Sequence, residues 1–145
     1  MSSPEPLMPA ARRAALKAHA PYSHFRVGAA VRCSNGEIVE GCNVENASYG
    51  LSICAERVAL FSAVARGLQP KELAVSCLDA PSDGPDGLRM PCGACRQVML
   101  ELMLVRQRFT STGLVHADWP SCYQMRFRWW RTTIANNVGT RVLGG

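Results

Sequence analysis

No stretch of this 145-residue chain approaches the roughly 18 apolar residues of a membrane span. Met1 to Pro9 has neither a basic start nor a hydrophobic segment, so no secretory leader is expected, and the cytoplasm is the expected location. No internal repeat or low-complexity tract occurs, which argues against a repeat architecture. Histidine is scarce. His19 and His24 lack ligand spacing to any cysteine motif and His116 stands alone near the end, so a metal site has to be built from other residues. A surplus of one charge sign is also missing from most of the chain. The net charge is +5, yet residues 1–102 carry ten Lys or Arg against ten Asp or Glu. A basic nucleic-acid-binding face is therefore not expected there. The excess lies in residues 103–145, with six arginines against Asp118 alone and all three tryptophans, Trp119, Trp129 and Trp130.

What is present is one domain's length of chain, nearly half hydrophobic, enough to bury a real core. The seven cysteines are an odd number without a leader, and in a reducing compartment such thiols serve as metal ligands or buried apolar groups more often than as disulfides. Apolar spacing predicts a helix from Leu7 to Ala20, ended by Pro21. Strands are expected at Phe25 to Arg32 and Glu37 to Asn43, joined by a turn at Ser34-Asn35-Gly36. Ser52 is the expected cap of a helix reaching Arg66 and stopped by Gly67. A short buried strand at Lys71 to Leu78 and a Pro- and Gly-rich loop at Asp79 to Leu88 precede a helix from Gly93 to Met103. Helices packed on a sheet follow from that order. Beyond it, Gly113 to Ala117 reads as a brief strand, Trp119 to Arg131 has no period, and Asn136 to Gly145 reads as loop.

Chemistry concentrates in two short motifs. Cys54-Ala55-Glu56 is followed, 36 residues after Glu56, by Cys92 of Pro91-Cys92-Gly93-Ala94-Cys95. Both fall at expected helix starts, where backbone amides and the positive end of the dipole favour thiolate. Three thiolates, Cys54, Cys92 and Cys95, can hold zinc and leave a fourth position for water, and Glu56 beside them can carry protons. Such equipment suits hydrolysis of an amidine-like C–N bond. A closed structural site, with Cys33, Cys42, Cys77 or Cys122 as fourth ligand, is the alternative. Three thiolates on a dication leave an excess negative charge, which Arg57 is placed to offset by hydrogen bonding to sulfur; Arg96 is less well placed.

With Tyr22-Ser23-His24-Phe25-Arg26-Val27-Gly28-Ala29-Ala30, Gly41-Cys42-Asn43-Val44-Glu45-Asn46-Ala47-Ser48-Tyr49-Gly50, Cys54 to Arg57 and Pro91 to Val98, the chain resembles the cytidine deaminase family, and within it the homotetrameric, three-cysteine branch. The resemblance covers about Leu7 to Leu102. It implies an α/β, three-layer fold with a mixed β-sheet flanked by helices, one zinc ion per subunit, a nucleoside substrate and Glu56 as the catalytic acid and base. It also implies that Phe25 packs on the pyrimidine ring and that Asn43 and Glu45 bind the ribose 3′-hydroxyl. Ala47, Tyr49 and Gly50 would reach a neighbouring subunit's site. A carboxylate accepting from that hydroxyl would repel a phosphate attached there, which disfavours a polynucleotide. The rival expectations are a zinc-stabilised binding module without turnover, and a deaminase of another nucleoside or of a polynucleotide.

The division expected is a catalytic domain over 1–102 and an atypical basic tail over 103–145, not an independent domain. The family continues with further strands, a Leu-Leu-Pro run and a phenylalanine that the tail lacks in recognisable form; Phe127 stands near the expected region without a motif to anchor it. The abruptness of the break suggests a shifted reading frame, which translation of the other two frames beyond codon 102 would test.

Overall fold

The computed structural model describes residues 6–103, 108–111 and 114–118. Helix α1 spans Leu7–Ala15, the hairpin β1 Val27–Cys33 and β2 Ile38–Cys42, helix α2 Ala55–Ala65, β3 Pro70–Cys77, helix α3 Gly93–Leu102, and two further strands β4 Arg108–Ser111 and β5 Leu114–Asp118. The strands form one sheet in the order β2-β1-β3-β4-β5. Among the described strands only β3 and β4 pair in parallel, so the sheet is mixed. The turn between β1 and β2 uses Gly36 at φ 92, and Gly67 at φ 72 closes α2, as their sequence positions predict.

Side chains alternate across the sheet and sort the layers. On one face Ala29, Val31, Val39, Leu73 and Val75 join Ala55, Ala59, Leu60 and Ala63 of α2 and Met99 of α3 in the main core. On the other, Ala30 and Ala74 pack against Ala10 and Ala11 of α1. Helix, sheet and helices are the three layers expected.

Two glycines set how closely the layers approach. A Cβ on Gly28 would lie 2.1 Å from the Ala11 carbonyl oxygen and 2.2 Å from the Ala15 nitrogen of α1. A Cβ on Gly41 would lie 2.4 Å from the Ala59 nitrogen of α2. Both contacts are with backbone, which cannot swing aside as a side chain can. Gly28→Ala is accordingly expected to destabilise the fold by about 3 kcal/mol, read as a lower urea midpoint; an unchanged midpoint would mean that α1 is free to shift outward.

Three boundaries differ from expectation. Helix α1 ends at Ala15 rather than Ala20, because the His19 amide leaves the helical ladder for the Asn43 carbonyl at 3.0 Å and the His19 carbonyl accepts from the Glu45 amide at 2.8 Å. Cys54, not Ser52, caps α2; the Ser52 hydroxyl instead accepts from the Asn46 amide at 3.0 Å. The sheet also continues past Met103 through β4, for which no strand is expected, and β5, which matches the brief strand expected at Gly113 to Ala117. Trp119 to Gly145, with Cys122 and Phe127, and the side chain of His116 lie outside the described residues.

Candidate metal centre

The N-terminal end of β1 and the C-terminal ends of β2 and β3 lie side by side, since Gly28 pairs with both Cys42 and Ser76. Helix α2 starts at this same edge, its Ala55 carbonyl lying near Gly41. Cys54 is the N-cap of α2 and Cys92 the N-cap of α3, and neither side chain spends itself on a capping hydrogen bond. Two helix starts therefore bring their thiols to one place, where the positive dipole ends favour anionic sulfur.

Cys54, Cys92 and Cys95 have their sulfurs within 4.8 Å of one another, the single such cluster found among the described residues. The Cys54 and Cys92 sulfurs are 3.8 Å apart and those of Cys92 and Cys95 3.5 Å. Zinc–sulfur bonds of about 2.3 Å at tetrahedral angles require sulfurs about 3.8 Å apart. The donor set thus fits zinc in both chemistry and spacing. Cys33 is buried in β1, the Cys42 thiol donates to the Lys17 carbonyl at 3.4 Å, and the Cys77 thiol donates to the Leu88 carbonyl at 3.7 Å. None of these three belongs to the cluster, and Cys122 lies outside the described residues.

Charge at the cluster is shared unevenly. Hydrogen bonding from the Cys95 thiol holds Cys54 down to about 5, with help from Arg57, while Cys95 is pushed far up because it donates to that thiolate and is buried. A dication removes the limit and lets all three bind as thiolates. The Arg57 guanidinium stands 3.7 Å from the Cys54 sulfur.

Glu56 sits in the first turn of α2 and is only 5% exposed. Burial pushes its carboxyl up to about 7; its own backbone amide opposes this, the neighbouring Cys54 charge adds to it, and Arg57 and Cys95 oppose it. A buried carboxyl in that range, two residues past Cys54 at the start of α2, has the proton affinity that acid and base work near neutrality needs.

Phe25, Asn43 and Glu45 lie at the same end of the sheet, just before β1 begins and just after β2 ends. Phe25 is partly buried against the main core. The Asn43 carboxamide oxygen accepts from the Val27 amide at 2.9 Å, and its nitrogen donates to the Phe25 carbonyl at 2.9 Å. One Glu45 oxygen accepts from the amides of Tyr22 at 3.0 Å and Ser23 at 3.2 Å, the other from the Ser23 hydroxyl. Those bonds, the hydroxyl's above all, hold the Glu45 carboxyl below its ordinary range. Asn43 and Glu45 are thus latches for residues 22–27, each with hydrogen-bonding capacity to spare. Ala47, Tyr49 and Gly50 are exposed, Tyr49 at 92%. Tyr49 and Gly50 belong to a single 3-10 turn, Tyr49–Leu51.

Sequence reasoning gave no role to Ser23, Arg26 or Asp79. Arg26 grips Asp79 with both Nε, at 3.0 Å, and Nη2, at 2.8 Å, while its amide donates to the same carboxylate at 2.7 Å. Asp79 directly follows the apolar run of β3, and that position was its only visible signal.

The family model described as the cytidine and deoxycytidylate deaminase zinc-binding region matches residues 1–110. The chain belongs to this family. A probable cytidine deaminase of Dictyostelium discoideum is 49% identical over 98 residues, covering 67% of this chain and 63% of that protein. A cytidine deaminase of Mycobacterium tuberculosis is 47% identical over 91 residues, covering 63% and 65%. The chain therefore spans a little under two thirds of the length of these relatives. The crystal structure of a cytidine deaminase from Burkholderia pseudomallei superposes with a TM-score of 0.64 at 48% identity, over 72% of this chain and 80% of that one. One from Bacillus anthracis, at 11% identity and a TM-score of 0.60 over 92% of this chain and 96% of that one, shares the fold alone.

Proposed function

We propose that the protein is a zinc-dependent hydrolase that converts cytidine and 2′-deoxycytidine to uridine and 2′-deoxyuridine, a pyrimidine-salvage reaction in the cytoplasm. The observation that carries this reading is the buried Glu56, in the first turn of the helix that Cys54 caps, together with a three-thiol cluster of zinc spacing. Cys54, Cys92 and Cys95 would hold the ion, and Arg57 would offset the excess charge of three thiolates. When bound, zinc supplies the Lewis acidity that makes water nucleophilic near neutral pH.

Glu56 accepts the proton that water gives up and delivers it to ring nitrogen 3, so that carbon 4 becomes electrophilic and water's oxygen adds there. Glu56 then takes the proton of the new C4 hydroxyl and passes it to the 4-amino group; the C4–N bond breaks with its electron pair leaving on nitrogen, the C4 carbonyl of the uracil ring forms, and ammonia departs. Phe25 would pack on the ring. The unspent capacity of Asn43 and Glu45 would hold the ribose 3′-hydroxyl, and an ionised Glu45 disfavours a phosphate at that oxygen. That electrostatic conflict favours a free nucleoside over a strand.

A homotetramer is part of the proposal. Tyr22, then Val44, Tyr49 and Leu51 after β2, and Phe61 and Val64 on α2 expose apolar side chains. A subunit interface would cover them. Among the described residues no helix is long and apolar enough to cross a membrane.

Ammonia release from cytidine, deoxycytidine and a cytosine-containing oligonucleotide, with zinc quantified, tests the reading. Release from the two nucleosides is the expected result. Zinc without ammonia would make the protein a binding module, and a preference for the oligonucleotide would make it a polynucleotide deaminase.

A further inference from the structure

The segment that carries Phe25 is held from two sides. From the β2 side, Glu45 binds residues 22 and 23, and Asn43 binds the Phe25 carbonyl and the Val27 amide. The Ser23 hydroxyl, itself on Glu45, accepts from the Phe25 amide at 3.1 Å. From the β3 side, Asp79 takes three hydrogen bonds from Arg26, and the Leu78 amide donates to the Arg26 carbonyl at 3.0 Å. Between these holds the chain passes through His24 at φ 55, a left-handed conformation that a histidine keeps only when its surroundings impose it. Phe25 follows at once, with both of its own peptide groups pinned.

We propose that Asp79 is a positioning residue for substrate binding: by clasping Arg26 through side chain and backbone together, it fixes the place of the Phe25 ring at the rim of the metal centre. The proposal rests on the deaminase reading above. A two-oxygen grip on a guanidinium is directional, unlike a point-charge contact, and so it sets geometry as well as adding attraction. Releasing it removes three of the four hydrogen bonds described on the β3 side and leaves the Leu78 amide alone there, so that the ring loses its register with the pyrimidine. Ring packing is made in the ground state and the transition state alike, so its loss appears in KM rather than kcat.

In the zinc-loaded full chain, Asp79→Ala is expected to raise KM for cytidine about tenfold with kcat changed less than about twofold, and with zinc content unaltered. Arg26→Ala should give the same shift, and the double variant no more than either alone. In a Phe25→Leu background, Asp79→Ala should add almost nothing to KM. An unchanged KM in Asp79→Ala, a fall of kcat and zinc content together with it, or the full increment persisting in the Phe25→Leu background would each overturn the proposal. A wild type that releases no ammonia overturns the deaminase reading separately. Amide exchange then decides the clasp, since Asp79→Ala must expose the amides of Arg26 and Leu78, and unchanged protection there rejects it.

Discussion

Glu56→Gln lowers kcat for cytidine by about a thousandfold and leaves zinc bound. Glutamine keeps the length and the hydrogen-bonding shape of the side chain, so the first turn of α2 and the Cys54 cap that precedes it have no cause to move. What it removes is the exchangeable proton. The proposed reaction asks one group to take a proton from water and hand it to ring nitrogen 3, then to move another to the leaving amine, and a carboxamide does neither. Among the described residues, the ionisable groups that act on Glu56 offer no substitute of comparable placement: the thiols of Cys54 and Cys95 would be occupied by metal, the Arg57 guanidinium stays protonated, and the Cys77 thiol, pushed up to about 11 by burial, donates to the Leu88 carbonyl. Zinc analysis and steady-state ammonia release on the same preparation check this. Activity within about tenfold of the wild type would remove Glu56 from the role, because general acid–base catalysis contributes at least about a hundredfold.

Cys95→Ala is expected to abolish stoichiometric zinc and all ammonia release. Cys95 is fully buried on α3 and Cys54 caps α2, so the metal would join two helix starts that belong to distant parts of the chain. Two thiols leave two of the four tetrahedral corners without a protein ligand, too few to hold zinc tightly. The same metal stabilises the folded state by mass action. At a free zinc concentration about a hundredfold above Kd, binding contributes about 2.7 kcal/mol. A chelator should therefore lower the unfolding midpoint of the wild type and leave that of Cys95→Ala where it is. Retention of one tightly held zinc by the variant, or equal sensitivity of both proteins to chelation, would mean that other side chains hold the metal.

The parts of this molecule that could be read from sequence are those decided by near neighbours. Asn35-Gly36 announced the hairpin and Gly67 the end of α2, because each needs a backbone angle that few residues other than glycine adopt. The cysteines announced themselves by spacing. What escaped was decided by residues far apart in the chain. Helix α1 stops early because Asn43 and Glu45 claim the backbone of His19. Gly28 and Gly41 look like ordinary strand glycines until a helix is laid against each. Arg26 and Asp79 are 53 positions apart, and no local period couples them. Strand β4 is only four residues long and gains its place through parallel pairing with β3, a contact that hydropathy alternation cannot announce.

That parallel pairing also bears on how the molecule behaves in company. Every thiol and carboxylate of the metal centre lies before residue 96, whereas β4 contributes its backbone, covering Leu73 to Val75 along the outer flank of the strand that ends at Cys77. A strand with a bare flank offers its amides and carbonyls to any passing chain. Residues 108–111 therefore act as insulation: they keep the segment beside the reactive centre from adhering to another molecule's backbone.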